Sequence, residues 1–289
     1  MARTPKAQAL GAALRQARED RQLLLRELAA MIKRDIGVVS RWETGDRTPK
    51  PEQVAQILTK LEVDGERYDE IMTLAYGTNE SQWMATTLPE QRQQMAALVD
   101  WEQRATRIVE VSPLLVPGLL QSSAYIRGIM TAAGVPEGEI ALRVTSRLGR
   151  TEAITKRKPA KFLALLGESA LNQDIGGRAA MLEQLDHLLE MAVRPNVELR
   201  IMPDHRGWHP GLEGSFKLIE ASRPASGRRA AVQSASIVFV GTRRSVLMLH
   251  EEQDVAAYRR ALDRVLAISL APEPSANLVS EARKRMEKK

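Results

Sequence analysis

The spacing of apolar residues changes once along this chain, and that change constrains its fold more than any other feature. From Ala7 to about Tyr76, apolar side chains recur every three or four residues, as at Leu10, Leu14 and Ala17. This spacing is typical of amphipathic helices. Beyond residue 90, helical segments alternate with strand candidates such as KFLALLG at 161–167. The pattern predicts an all-α five-helix domain over 1–76, followed by a mixed α+β domain.

Short signals divide the chain further. Asp35 is suited to cap a third helix, Lys50-Pro51-Glu52 opens a fourth, and Asp64-Gly65 ends it. The polar stretch 77–89 is predicted to be a linker. Residues 90–270 form the second domain, and residues 271–289 form a charged tail that is expected to fray. In that domain we expect helices at 90–110, 122–133, 178–193 and 254–270, and strands at 161–167, 196–203, 214–220, 236–241 and 245–250.

Composition limits the classes of protein that fit. The 289 residues, of which 44% are hydrophobic, are enough for two globular domains with their own cores. There are no cysteines, which excludes disulfides and thiolate metal sites. No apolar run approaches the roughly 18 residues of a membrane-spanning helix, so we expect a cytoplasmic protein without a membrane partner. The net charge of +6 favours an anionic partner.

Two short helices joined by a tight turn are expected between Leu23 and Gly45, which is the layout of a helix-turn-helix. We expect Val39 and Trp42 of the second helix to pack inward. Four residues then share the outward face: Ile36, Gly37, Ser40 and Arg41. In an isolated helix, the simpler interpretation would be that the isoleucine is core and the arginine a solvated charge.

The outward face carries groups suited to the DNA major groove. Arg41 can bond guanine O6 and N7 in a bidentate way, Ile36 can contact a thymine methyl, and Gly37 lets the backbone approach the bases. Ser40 can reach a base edge or a phosphate. Phosphate contacts are expected from residues that flank the helix on both sides: Lys33, Arg34, Arg47, Thr48 and Lys50.

The segments LRQARED, LLLRELAAMI and DIGVVSRWETGDRTPKPEQVAQILTKL resemble the lambda-repressor-like (XRE) helix-turn-helix family. The resemblance implies sequence-specific binding to double-stranded DNA and a structural ion pair between Arg18 and Glu43. Leu25 departs from the family, which usually has a polar residue there that contacts a phosphate. One such unit offers few contacts, and these proteins usually bind two half-sites about 34 Å apart, so we expect a homodimer on an inverted-repeat operator.

Much of the remaining chain resembles the C-terminal domain of unknown function attached to XRE-type regulators of actinobacteria, the Scr-one-like group. The resemblance is carried by Trp101-Glu102, by SPLLVPGLLQ at 112–121, and by the runs at 194–197, 209–216 and 254–258. It implies that this domain senses a small-molecule effector or binds a small partner protein encoded nearby. It implies no reaction.

Two stretches of the second domain are candidates for a ligand or partner pocket. Prolines exclude a continuous helix in SPLLVPGLLQ, which is either a buried crossing, the favoured interpretation, or the rim of a pocket. The residues around Trp208 form either a ligand cleft or a turn packed on the sheet. The candidate pocket residues are Trp101, Pro117, Gln121, Tyr125, Trp208, His209 and Glu213.

No catalytic constellation stands out. His205, His209 and Glu213 are spaced by four, but Pro210 and neighbouring glycines exclude the helix that would align them as metal ligands. We therefore expect no metal, no cofactor and no enzymatic activity.

The stretch from Arg143 to Lys161 is strongly basic, with Glu152 as its one acidic residue. It is a solvated helix face, an internal ion-pair network with Glu110 and Glu168, or a surface for an acidic partner or DNA. The chain as a whole is predicted to be a transcriptional regulator whose second domain senses a ligand or a small partner. The alternative is an antitoxin-like protein that holds a partner and regulates its own operon.

Overall fold

The computed structural model describes residues 4–78, 82–85, 87–222, 234–242 and 245–288. The chain divides into two compact units, each made from two segments. The first unit consists of Met1–Asp100 and Gly241–Glu251, and the second of Trp101–Val240 and Glu252–Lys289. The sequence placed the domain boundary earlier, at 77–89, and did not predict that a distant segment completes the first unit.

Five helices begin the first unit, as the apolar spacing predicted. They are α1 (Pro5–Asp20), α2 (Leu25–Met31), α3 (Ile36–Glu43), α4 (Pro51–Lys60) and α5 (Gly65–Ala75). Leu10, Leu14 and Leu58 are almost fully buried in their core. One boundary differs from the prediction. Glu62 adopts a left-handed backbone conformation (φ 51°) just after the end of α4, and Gly65 begins α5 instead of ending α4.

The linker predicted at 77–89 contains regular structure. Strand β1 (Gln82–Ala85) pairs antiparallel with a strand from far along the chain, β7 (Val246–Leu249). Trp83 of β1 is 4% exposed, and its carbonyl accepts a hydrogen bond of 2.6 Å from the Gln94 side chain. The polar composition was misleading because one tryptophan and one distant strand anchor the segment. Residues 79–81 and 86 lie outside the described residues.

The second unit contains a mixed sheet with helices packed on it. Its strands are β2 (Ala105–Ser112), β3 (Lys161–Gly167), β4 (Val197–Met202), β5 (Phe216–Ser222) and β6 (Ser234–Gly241), arranged in the order β6-β5-β2-β3-β4. The strands β2, β3 and β4 run parallel, whereas β5 pairs antiparallel with β2 and with β6. The five predicted strands, from 161–167 to 245–250, are confirmed as β3 to β7.

The remaining helices are α6 (Leu88–Arg104), α7 (Ser123–Ala132), α8 (Glu137–Gly149), α9 (Glu152–Thr155), α10 (Arg178–Ala192), α11 (Glu252–Ile268) and α12 (Pro272–Lys288). The helix predicted to reach residue 110 ends at Arg104, and the chain continues as β2. Ile108 and Val109 of that strand are buried. Short apolar runs of this kind do not distinguish a strand from a helix by spacing alone.

The tail at 271–289 contains α12, although its charge predicted fraying. This helix packs on α10 and β4 and buries Val279, Ala282 and Met286. Arg283 of α12 also forms an ion pair with Asp186 of α10. The apolar residues recur three and four positions apart, so the helix has a buried stripe that its charged residues concealed.

A buried carboxylate, Glu102, connects three parts of the second unit. Its side chain is fully buried and accepts two hydrogen bonds from Arg150, at 2.9 and 2.8 Å. Lys217 of β5 lies 2.6 Å from one Glu102 oxygen and 3.0 Å from Glu110 of β2. Burial alone would raise the pKa of Glu102, but Lys217 and Arg150 outweigh burial and lower that pKa from 4.5 to about 2.

The basic stretch at 143–161 therefore does not have a single role. Arg143 pairs with Glu139 on an exposed helix face, whereas Arg150 belongs to the buried ion-pair network. The partner of Arg150 is Glu102 and not one of the two carboxylates expected from the sequence, because Glu110 is engaged by Lys217 and by the Gly118 amide. The other expected carboxylate, that of Glu168, accepts a hydrogen bond from the backbone amide of Asp204.

Replacing Glu102 by Gln is expected to lower the free energy of unfolding by about 3–5 kcal/mol, because two buried cations lose their shared charge partner. Urea denaturation followed by circular dichroism measures the loss. Glu139→Gln is the matched control, since its pair with Arg143 is exposed and contributes little.

The stabilisation that Glu102 provides is expected to depend on pH. Because the pKa of Glu102 is lowered in the fold, its stabilisation is complete above pH 4.5 and is lost as the pH falls toward about 2. The difference in stability between wild type and Glu102→Gln should therefore shrink across that interval. A difference that stays constant with pH would contradict an ionised Glu102.

Candidate nucleic-acid interface

The helix α3 presents the outward face that the sequence predicted. Val39 and Trp42 are 1% and 4% exposed and pack inward. Ile36 is 50% exposed, an unusual setting for a large apolar side chain at the start of a helix. Arg41 is exposed, and the two small residues of the face, at positions 37 and 40, are half-buried. The four predicted base-reading residues thus lie together on one side of α3.

Two contacts from α1 fix the end of α3. A Cβ atom on Gly11 would lie 2.6 Å from the carbonyl oxygen of Trp42 and 2.7 Å from that of Glu43, so the helices can approach this closely only at a glycine. Arg18 donates two hydrogen bonds to Glu43, at 2.7 and 2.9 Å, forming the pair implied by the family resemblance. Arg18 also donates to the Leu23 carbonyl at 2.6 Å.

Gly11 was missed as a positioning residue at the level of sequence. The available signal was a glycine in the interior of a predicted helix, which often marks a close approach of another backbone. Nothing in the sequence identified the end of α3 as the backbone that approaches it.

The beginning of α3 is fixed by its own cap. The Asp35 carboxylate accepts a hydrogen bond of 2.8 Å from the Gly37 amide, satisfying one of the free amides of the first turn. A Cβ atom at Gly37 would lie 2.9 Å from that Asp35 oxygen and 3.8 Å from the guanidinium of Arg41. Gly37 therefore leaves room both for the cap and for the arginine across the next turn.

Exposed cations lie on both sides of α3. Lys33 occupies the turn before it with a left-handed backbone (φ 53°), and Arg34 follows. In the loop after α3, the Arg47 amide donates to the Arg41 carbonyl at 3.0 Å, while Lys50 begins the approach to α4. Thr48 of the same loop is half-buried.

In the described part of the chain, none of these exposed cations pairs with a carboxylate, in contrast to Arg15, Arg18 and Arg21 of α1 and its end. The uncompensated set consists of Lys33, Arg34, Arg41, Arg47 and Lys50. Positive charge without internal partners on both flanks of an exposed helix is suited to a phosphate backbone.

The candidate pocket residues of the second unit are mostly structural. Gln121 donates to the Val116 carbonyl at 2.8 Å, and the Val116 amide donates to the Tyr125 hydroxyl at 3.2 Å. Trp101 and Pro117 are also buried. Much of SPLLVPGLLQ is thus a buried crossing, as favoured from the sequence, although Leu114 remains 62% exposed.

The segment around Trp208 forms two short 3-10 turns, Asp204–Arg206 and Pro210–Glu213. Trp208 is 67% exposed, whereas His209 is 6% exposed and lies against Gly211. The second turn contacts α11, so this is a turn packed in the unit with an exposed indole. Within the described ranges no three His, Asp or Glu side chains are grouped as metal ligands.

Replacing Arg18 by Ala is expected to destabilise α3, because Glu43 would keep a nearly buried charge without its partner. A loss of about 3 kcal/mol in the opening free energy of α1 to α3 is expected. Hydrogen exchange followed by mass spectrometry measures it on peptides from these helices. The control is Arg15→Ala, which removes an exposed pair with Glu19 on the same helix. Unchanged exchange in α3 would show that the Arg18 pair does not hold it.

Comparison with known proteins identifies two families along the chain. Residues 9–71 match the model of a helix-turn-helix domain, which indicates DNA binding and a role in the regulation of transcription. Residues 95–281 match a domain of unknown function, DUF5753. No curated protein was found to match the chain. Across the described residues, no helix is long and apolar enough to span a membrane.

These matches confirm the resemblance to an XRE-type regulator with a C-terminal domain of unknown function. Because the second match alone spans more than half of the 289 residues, the chain belongs to the DUF5753 family and carries a helix-turn-helix domain before the family's own domain.

Proposed function

We propose that this protein regulates transcription by reading a specific DNA sequence with α3 and by responding to an effector through its second unit. The observation that carries the proposal is the outward face of α3. An exposed isoleucine and an exposed arginine lie there, flanked by cations that have no carboxylate partner in the described residues. Direct base contacts and phosphate contacts are thus supplied by different residues.

Arg41 is the proposed base-reading residue of greatest weight. Its guanidinium is exposed one helical turn after Gly37, and no carboxylate of the described chain neutralises it. Bidentate bonding to guanine needs such a free guanidinium, and each good pair of this kind contributes about 1–3 kcal/mol of discrimination. Ile36 adds an apolar surface that suits a thymine methyl.

A homodimer is proposed because one α3 offers few base contacts. Two copies related by a two-fold axis would place two recognition helices in successive major grooves, about 34 Å apart. The operator would then be an inverted repeat. The free energies of base discrimination at the two half-sites would add, so the dimer would be more specific than a single copy.

The second unit is proposed to be a regulatory domain without catalytic activity. Its buried charges are used to hold the fold, as Glu102 and Arg150 are. An effector that binds one arrangement of the dimer more tightly than another shifts operator affinity by that difference in binding free energy.

A second candidate function is that of an antitoxin-like protein that holds a small protein partner. The exposed Leu114 and Leu115 of the SPLLVPGLLQ segment favour it, since a partner could cover them. A small protein that co-purifies with wild type and is lost in a Leu114→Ser, Leu115→Ser variant would support this function.

Replacing Arg41 by Ala is expected to weaken binding to the operator by roughly 5- to 150-fold for each copy of the protein on the DNA, while leaving non-specific binding nearly intact. Recovery of genomic fragments by purified wild type identifies the operator, and fluorescence anisotropy then compares it with scrambled DNA. Lys60→Ala, at the exposed end of α4, is the control. Equal weakening on both DNAs would mean that Arg41 contacts only phosphate.

Replacing Lys50 by Ala is expected to weaken binding to operator and scrambled DNA by the same factor, because a phosphate contact carries no sequence information. The slope of log affinity against log salt concentration should become shallower by about 1 for each copy of the protein on the DNA. Affinity measured over a salt series tests this. A loss confined to the operator would assign Lys50 to base reading.

A further inference from the structure

An open pocket of about 480 Å³ lies in the second unit, where the parallel strands begin. Arg107 near the start of β2 and Lys161 at the start of β3 are partners in the sheet register. Side chains at paired positions leave a sheet on the same face, so both cations project to one side. The volume is within the range of small-molecule sites. None of these residues was singled out from the sequence as a ligand-binding residue.

The pocket wall is about half polar and half apolar. Phe162 and Leu163 of β3 and Val197 of β4 contribute to it, together with the exposed prolines 195 and 272. The two strands are themselves nearly buried at these positions, with Phe162 at 1% and Val197 at 7% exposure. Because successive side chains alternate, Phe162 and its register partner Val197 point away from the two cations, whereas Leu163 shares their face. A ligand beside the two positive charges would therefore contact Leu163 and the two exposed prolines.

The carboxylates around the pocket leave these positive charges incompletely neutralised. Glu198, the acidic residue of the lining, lies 2.5 Å from the guanidinium of Arg200. The carboxylate nearest to Arg107 belongs to Glu220, at 4.0 Å, and Glu220 also receives a hydrogen bond of 3.1 Å from Arg259.

Lys161 has no carboxylate within 4.0 Å among the residues that the structure describes, and its side chain is exposed. The surplus of charge at the pocket is therefore positive. Exposed lysines are common, but this one shares a pocket with Arg107. The carboxylate of Glu220, which lies nearest to Arg107, also pairs with Arg259.

The pocket is held in shape by hydrogen bonds of the protein itself. The Asn196 amide donates to the carbonyls of Ile154 and Ala160, each at 3.0 Å. The Asn196 carbonyl accepts from the Phe162 amide at 2.7 Å. These bonds tie the start of β3 to the start of β4. A ligand would not have to order this wall, which lowers the free-energy cost of binding.

We propose that this pocket binds a small molecule that carries an anionic group on an apolar body. The anionic group, a carboxylate, sulfonate or phosphate, would lie between Arg107 and Lys161, and the apolar body would pack on Leu163 and on the exposed prolines 195 and 272. This pocket would be the effector site of the proposed regulator, and it defines the chemical class of the effector. Its regulatory role rests on the proposed function.

The test uses the full-length protein and 8-anilinonaphthalene-1-sulfonate, an aromatic sulfonate whose fluorescence rises in apolar sites. Saturable binding with one probe per chain is expected. In the double variant Arg107→Gln, Lys161→Gln the dissociation constant should rise about ten-fold or more, because two charge-assisted contacts are lost. Lys158→Gln is the matched control, an exposed cation of the same basic stretch that does not line the pocket.

Competition separates the anionic group from the apolar body. Octanoate should displace the probe, whereas octanol, which has the same chain length without the charge, should displace it much less. Thermal unfolding of each variant confirms that a changed signal reflects the pocket and not a loosened fold. Equal displacement by both compounds would overturn the role of the two cations.

Two other results would overturn the proposal. If the double variant binds the probe as wild type does, the site lies elsewhere. If the double variant loses affinity for DNA in the absence of any probe, the two cations contact phosphates of DNA instead. Operator recovery by wild-type protein without probe tests the proposed function separately. Failure of the pocket proposal and failure of the proposed function can therefore be distinguished.

Discussion

The second unit is organised around a carboxylate that water cannot reach. Glu102 lies near the end of α6, and its two oxygens receive Arg150, which follows α8, and Lys217 of β5. Taking such a charge out of water costs several kcal/mol, and the cost is recovered only when its partners are placed closely and their hydrogen bonds are satisfied. The positions of the last residues of α6, the end of α8 and β5 are therefore restricted together.

The buried ion-pair network also fixes the position of the SPLLVPGLLQ segment. Lys217 also approaches Glu110, whose other oxygen accepts a hydrogen bond from the Gly118 amide in the SPLLVPGLLQ segment. Arg147 bonds the Gln121 side chain at 3.2 Å, and burial lowers its pKa, with the nearby Arg150 adding to the effect. This segment is thus bound to the sheet through polar contacts as well as through its leucines, which explains how a stretch with two prolines keeps one conformation.

The first unit uses the same kind of contact for a different purpose. Arg18 and Glu43 join α1 to the end of α3, while Asp35 holds the other end. Both ends of α3 are fixed by residues that do not share its outward face. Substitutions of Ile36, Ser40 or Arg41 would therefore leave both fixed ends of α3 in place, whereas a side chain at Gly37 would crowd the Asp35 cap.

Much of the fold could be predicted from local pattern, because helices and strands are encoded by spacing and caps. The five helices of the first unit and strands β3 to β7 were identified in this way. Several of the failures share one physical cause, which is dependence on distant partners. Nothing near Trp83 indicates its pairing with β7, and nothing near Arg150 indicates Glu102, 48 residues earlier. The cations at 107 and 161 were equally unremarkable until the register of β2 and β3 brought them side by side.

The pairing of β1 with β7 has a consequence for how the protein is made. The first unit contains residues from both ends of a long stretch, with most of the second unit encoded between them. During synthesis the five helices can pack as soon as they leave the ribosome, but β1 must wait for about 160 further residues before its partner strand exists. Until then β1 is an unpaired strand that contains a tryptophan, open to mispairing with another chain. A shortened protein that stops after α6 would keep that edge permanently, so the full chain is the natural material for studying its DNA binding.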